Sequence, residues 1–578
     1  MKGYINGKPD VTWWMQQIHA GIKFRKKMTY QASWATWRKY YRSEFSDQIL
    51  PVNLFFKMAR TIVPRIYFRN PGISIVPNKP GMLNWAFAQL LERIDNKLIR
   101  QMGMKKKSKR AVGNAWFFGT GILKVGFGSA YGYNFDLHGG EAPKVKGRYD
   151  IEHNADIASF MPWVDSIHPG NFIVPDQQID YEKTPWTAEW IRRPTYEVEA
   201  DPRLRNNKNI KSATKSAGTD FMNEFKATDN LQQTDLIEIH DLRCGRCIVL
   251  APFASNRELF CGDDDLQFAG RGNYIPIIFN ENDDAFWGLP DSKILEPDQL
   301  EINEVRTLMM YHWRLSVAKI AYQVGKIDPA QVDKIMNGEV MAALGIKGDI
   351  RAAFEIFNAG EVPDSLFKAD AQINQDVREG MGFSRNEFGE FTPPSSRTSA
   401  TEAKIVKMAS EIRIDERRDM AADALVETME AVNHVIFNEW HEEHVLEVAG
   451  PVGVPLWVKF RPDMLSGGAY TIKIDPDTSL PETKDAREQR ALTVYNVLKT
   501  NPLVDPIRLT RYLLHELHGV QFDDMMRGMP PGLGGPSNPM ELQDFIRLVQ
   551  EVATKAPQAI TAMSQQQPPG APPPGVQQ

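Results

Sequence analysis

Three cysteines among 578 residues form an odd and sparse set, which argues against a disulfide framework and suits a reducing compartment. No run of about 18 apolar residues occurs, so no bilayer span is expected, and no charged start followed by an apolar segment marks a signal peptide. G-x-x-x-x-G-K-[ST] is absent, which removes a P-loop, and G-x-S-x-G is absent, which removes the nucleophile elbow of hydrolases. No paired carboxylate cluster stands out to hold the metals of a nuclease. Sixty-eight basic against 73 acidic side chains leave a formal charge of −5, which excludes a chain that clamps nucleic acid over its whole surface. The chain holds 41 Gly and 38 Pro, yet neither residue occurs between Ser395 and Val448.

That stretch has apolar residues at helical spacing: Ile405, Met408, Ile412, Met420, Leu425, Met429, Val432, Ile436 and Trp440. Ser399 and Glu402 form a capping box at its start, after Pro393 and Pro394, and Gly450-Pro451 ends it. The spacing predicts a helix over 399–449, roughly 70 Å long at 1.5 Å per residue. A helix of that length more often crosses a large assembly than sits inside a compact enzyme. Thirteen Trp and 29 Phe suit large buried interfaces or a large core.

The fold class expected is α+β with helix predominating. Residues 10–60 read as helical and aromatic-rich, and the segment from Pro64 through Asn70 to Pro77 reads as extended, with Ile73 and Ile75 alternating. A helix is expected over about 84–117, then strands and loops to about 280, including Ile122–Phe127 and Tyr274–Phe279. Pro297 is expected in the first turn of a helix through Leu300, Val305, Leu308, Met309, His312 and Leu315. Residues 320–363 read as an insert of short elements, and Asp364 caps a helix through Phe367, Ile373 and Val377. A polar Gly/Pro loop of about nineteen residues, Gly380 to Thr398, precedes the long helix, where a plain helix connection would take about two to eight. Met540–Ala556 reads as one more amphipathic helix after a Gly/Pro linker, and the Gln/Pro-rich end reads as disordered.

Some constellations invite chemistry. His240, Cys244, Cys247 and Cys261 are the ligand types of a structural zinc site. A hairpin turn with the cysteines as small hydrophobes accounts for them more simply, so no metal or cofactor is expected. His434, His441 and His444 share a stripe of the expected long helix, but His441 and His444 have two residues between them where H-E-x-x-H requires three, so the stripe reads as a polar face. His515 and His518 read the same way. Lys105, Lys106, Lys107, Lys109 and Arg110 spread around a helix axis as a solvated face.

The order helix, insert, helix, polar loop, very long helix resembles that of the portal proteins of tailed bacteriophages. The resemblance rests on Tyr274–Asn280, Phe286–Asp291, Gln299–Asn303 with Arg306, and Arg397–Glu402. Tyr67–Pro71 and Phe118–Gly121 add two N-terminal landmarks. It covers roughly residues 10–525, as ordered short landmarks rather than one diagnostic motif.

The resemblance implies a portal-type protomer with wing, stem, clip and crown, assembled as a cyclic ring, usually of twelve copies, at one capsid vertex of the virion. Double-stranded DNA would pass through its centre, driven by a separate motor, so no enzymatic activity of its own is implied. Residues 1–295 would be wing, 296–319 and 364–379 stem helices, 320–363 the clip, 380–398 the tunnel loop, 450–481 wing strands and 482–527 the crown, with 528–578 a linker, short helix and tail. Ser384, Arg385, Asn386, Glu387 and Arg397 would face DNA in the loop, and Glu301, Glu304 and Lys368 would line the stem. Lys334, Lys347 and Arg351 would present the clip to the terminase large subunit and later to a head-tail adaptor or tail protein. The major capsid protein and a scaffolding protein would be further partners, and assembly would take place in the host cytoplasm. Rival classes are another phage structural protein, such as a scaffold or adaptor, and a DNA-processing enzyme.

Overall fold

A computed structural model describes residues 2–67, 72–127, 162–210, 233–264, 272–316, 319–322, 354–357, 363–381, 400–439, 444–449, 455–460, 470–474, 484–499 and 540–541, apart from single positions. Helix and strand mix along the chain, with helix predominating. The chain divides into two compact units, residues 1–31, 61–290 and 414–578 in the first and 32–60 and 291–413 in the second.

The first unit is built on antiparallel sheet. Strands β1 (Tyr4–Ile5) and β2 (Lys8–Pro9) lead into helix α1 (Val11–Met28), which Asp10 caps by accepting from the Thr12 and Trp13 amides at 3.1 and 3.2 Å. Trp14 and Ile18 of α1 are wholly buried against the five-stranded sheet of β6 (Phe172–Ile173), β7 (Trp186–Pro194), β8 (Gln233–Asp241), β9 (Arg246–Leu250) and β10 (Glu258–Asp263). Their neighbours there include Trp186, Trp190, Ile237 and Ile239, alternate residues of their strands. A second sheet places β4 (Thr120–Phe127) between β5 (Pro162–Ile167) and β11 (Tyr274–Ile278). The strands expected over 122–127 and 274–279 are therefore direct partners, Leu123 opposite Ile275.

Helix predictions over 10–60 are met by α1, α2 (Trp34–Tyr41) and α3 (Leu54–Ile66). Helix α3 runs through Pro64 to Ile66, which were expected to be extended, and the alternation of Ile73 and Ile75 is strand β3 (Ile73–Pro77), with residues 68–71 outside the described ones. The helix expected over 84–117 is two helices, α4 (Met82–Gln101) and α5 (Met104–Phe118), because Gly103 turns left-handed at φ 64°. A short α6 (Thr195–Ala200) follows β7.

In the second unit, α7 (Asp291–Ser316) starts directly after Pro290 and carries Pro297 in its second turn, not its first, where the missing N–H forfeits one intrahelical bond. Strands β12 (Lys319–Tyr322) and β13 (Phe354–Phe357) pair antiparallel, with residues 323–353 between them, and α8 (Asp364–Met381) follows.

Helix α9 (Ala400–Glu439) spans 40 residues, about 60 Å, and contributes to both units. It ends ten residues before the expected 449. His444–Ala449 is instead strand β14, paired with β15 (Pro455–Phe460), Val448 opposite Leu456. Val445 and Val448 are β-branched and find a partner strand, and that tertiary pairing overrides the helical period. His444 therefore leaves the histidine stripe. From Ala421 onward α9 buries a broad face, with Ala421, Leu425, Met429, Val432, Val435 and Ile436 in the core and Asp423, Glu427 and Asn438 exposed. Strand β16 (Tyr470–Ile474) pairs with β3, and α10 (Lys484–Leu498) lies in the span expected to be crown. Met540–Glu541, expected to begin a helix, is strand β17, alongside β15.

Candidate functional site

Helices α7 and α8 form an antiparallel hairpin. Trp313 meets Phe367 with ring centroids 6.4 Å apart, and Arg306 meets Asp370 one step along. Further along still, Asp298 feels the charge of Asp376. The pairing of β12 with β13 extends this hairpin toward residues 323–353. Ile302 and Met309 of α7 and Ile373 and Val377 of α8 are buried. The opposite face of α7 carries Leu300, Glu301, Glu304, Leu308 and Tyr311, all exposed, with Leu300 at 51% and Tyr311 at 46%. Leu300, Glu304, Leu308 and Tyr311 follow one another at spacings of four and three, a continuous stripe along the helix.

Charge is concentrated here. The two helices hold nine carboxylates against five cations, a formal −4 of the chain's −5 in only 44 residues. Burial pushes the Asp298 carboxyl above its ordinary range, and the charges of Glu301 and Asp376 add to it. The acids of the pair therefore act on one another across the hairpin.

Polar residues of α7 have a further task that the sequence reading missed. Gln299, Asn303 and Thr307 recur every four residues and grip the backbone of residues 50–54. Leu54 N donates to Gln299 Oε1 at 2.9 Å, Val52 N to Asn303 Oδ1 at 2.9 Å and Leu50 N to Thr307 Oγ1 at 3.1 Å. Gln299 Nε2 returns a bond to the Val52 carbonyl at 2.7 Å. The fourfold spacing of amide and hydroxyl side chains was the available signal.

In the first unit a charged cluster lies between the two larger sheets. Glu189 and Glu238 are cross-strand partners on β7 and β8, an arrangement that repels unless a cation intervenes. Lys124 of β4 intervenes, 2.8 Å from Glu189 and 3.1 Å from Glu238. Burial pushes the lysine's pKa down, but the two carboxylates outweigh it and the net direction is upward. His240 donates from both ring nitrogens, Nδ1 to Asp264 at 2.7 Å and Nε2 to Glu238 at 2.8 Å. Burial disfavours its charge, yet the bonds to Asp264 and Glu238 prevail and raise its pKa to about 9.

The residues singled out in the sequence fare differently. Glu301, Glu304 and Lys368 all lie exposed on the helix hairpin. Ser384, Arg385, Asn386, Glu387 and Arg397 lie outside the described residues, as do Lys334, Lys347 and Arg351. The four zinc-type residues are split. Cys244 is exposed in the hairpin turn, its sulfur 3.4 Å from the Tyr4 hydroxyl, and Cys261 sits on β10 opposite Ile248. Only His240 and Cys247 come together, and Glu238, not singled out, joins them with all three ligand atoms within 4.8 Å of one another. Among the described residues, no helix is long and apolar enough to cross a membrane.

No protein-family model matches the chain, and no curated protein matches it either.

Proposed function

We propose that this chain is the protomer of a portal-type ring, through which double-stranded DNA enters a phage capsid and later leaves it. The observation that carries the proposal is the α7/α8 hairpin, which concentrates the chain's negative charge while leaving Leu300, Leu308 and Tyr311 in water. A surface of this kind suits two needs at once. The apolar stripe is an area that copies of the chain can cover in one another, since exposed apolar surface on a helix gains from burial at about 25 cal/mol per Å². The excess of carboxylates suits a passage along which phosphate must slide rather than stick, because each phosphate neutralised adds affinity.

The remaining assignments follow from the same resemblance. Residues 320–363 are the clip that meets the terminase large subunit and then an adaptor or tail protein, residues 380–398 the loop that touches DNA, and the first unit the wing that meets capsid and scaffolding proteins. The ring holds twelve copies and acts without catalysis of its own.

Deleting Ser384 to Glu390 tests the DNA-facing assignment. Intact rings with impaired DNA packaging or retention are expected. Loss of the rings themselves, or packaging unchanged by the deletion, contradicts the assignment. Reversing Lys347 and Arg351 to Glu is expected to weaken terminase docking while rings persist, since rim charges chiefly tune association.

A further inference from the structure

The β8–β9 hairpin brings together three metal-ligating side chains by the arithmetic of strands. Glu238 and His240 are two residues apart on β8 and so share a face. The hairpin register sets Cys247 of β9 opposite His240, on that same face. The Glu238 carboxylate, the His240 ring and the Cys247 sulfur consequently lie within 4.8 Å of one another. We propose that Glu238, His240 and Cys247 form a binding site for a borderline-soft divalent transition metal of the zinc class, independent of the ring function.

The surroundings of His240 match what such a site requires. A metal-bound imidazole offers one nitrogen to the ion and donates from the other to a carboxylate that fixes its tautomer. Asp264 already fills that second position, accepting from Nδ1 at 2.7 Å, with its own backbone N–H held on the Gly245 carbonyl at 2.9 Å. Nε2 is thereby directed at Glu238 Oε1, 2.8 Å away, and only a proton or a cation can stand between those two atoms. The metal takes the place of that proton. Glu238 keeps Oε2 on Lys124, at 3.1 Å, while Oε1 turns to the ion.

Charge balance supports the exchange. With His240 protonated and Cys247 a thiol, Lys124, His240, Glu189, Glu238 and Asp264 sum to −1. With a divalent ion bound, the imidazole neutral and Cys247 a thiolate, the sum is again −1. Two protons leave as one divalent ion enters, so the buried cluster gains no net charge, which is the condition a low-dielectric interior imposes. Thiolate, imidazole and carboxylate around an ion sit about 3.3–3.8 Å apart, so the Nε2–Oε1 pair opens by about 0.5 Å on binding while the sulfur, within 4.8 Å of both, moves in by about 1 Å. Glu238 and Cys247 are each partly exposed, which gives the ion a way in.

Titrating the purified full-length protein with Co²⁺ tests this. A thiolate-to-cobalt charge-transfer band saturating at one ion per chain, bleached by Zn²⁺, is expected. Cys247→Ser should abolish the band, the double variant Cys244→Ser/Cys261→Ser should keep it, and Asp264→Asn should weaken affinity about 10–100-fold. The unaltered protein should release two protons per Zn²⁺ bound, a readout that does not depend on any variant folding. The proposal is overturned if no band forms, if the band survives Cys247→Ser, if it is lost with Cys244 and Cys261, or if Zn²⁺ binds without proton release.

Discussion

Gln299 and Asn303 stand one helical turn apart on α7 and are joined by a hydrogen bond, Nε2 to Oδ1 at 3.0 Å. Together they hold the backbone of residues 52–54, which lies in no described strand and adds these side-chain bonds to the one from the Leu54 N–H to the Val52 carbonyl. Both amides are buried, Gln299 completely.

Gln299→Leu keeps the volume but removes a hydrogen bond from the Leu54 N–H and another from the Val52 carbonyl, leaving those two groups only the bond they make to each other at 2.9 Å. Each lost hydrogen bond costs about 0.5–1.5 kcal/mol, so a lower thermal midpoint is expected with helix content retained. An unchanged midpoint in a circular dichroism melt would show that residues 50–54 do not depend on α7.

Gly119 is the more severe position. It ends α5 at φ 87°, and a Cβ there would collide with the Gly288 carbonyl. Gly288 is just as closely enclosed, by Ile278 and Asn280. Gly119→Ala therefore combines a left-handed strain of about 1–3 kcal/mol with a clash against backbone. Loss of soluble folded protein on expression is the expected result.

The landmarks that suggested a phage portal had local causes that one chain can reveal only in part. Phe118–Gly121 was visible as a turn, but its contact with Gly288 joins positions 169 residues apart and no local pattern encodes that. Gln299–Asn303 was legible as a helix, while the target of its amides lies about 250 residues back. The end of α9 was misjudged because Val445–Val448 satisfies helical spacing, and only β15 turns it into strand. The Glu238–His240–Cys247 grouping was within reach. Period-two alternation and a four-residue turn place all three on one face, but a search by cysteine spacing passes over it.

Asp95 of α4 makes stability depend on pH. It is wholly buried, with Asn433 of α9 donating to its Oδ2 at 3.1 Å. Burial pushes its carboxyl well above the ordinary range, the Asn433 bond opposes this, and Glu92 adds to the rise. In the unfolded chain the group ionises near 3.9, whereas in the fold it holds its proton to higher pH. The unfolded state thus binds fewer protons in that window, and stability falls as pH rises from about 4 toward the folded value. Asp95→Asn removes this dependence and should raise the thermal midpoint at pH 8 more than at pH 5. Equal shifts at both pH values would contradict a buried, protonated Asp95.

The exposed stripe on α7 yields the assembly prediction. Leu308→Glu together with Tyr311→Glu adds two charges to the face proposed to meet other copies, so the proposed ring should give way to smaller species without loss of helix content. Alanine at Glu301, on the same helix, should leave assembly intact. Size-exclusion chromatography with light scattering reads both, and rings that persist with the double Glu variant would place the subunit contact elsewhere.

Single-particle imaging of the purified full-length protein, paired with its native mass, bears most directly on the ring itself. Closed rings with a central hole are expected, at twelve times 65.6 kDa, about 790 kDa. A folded particle of 65.6 kDa that stays monomeric at micromolar concentration, with no rings in the images, would contradict the account.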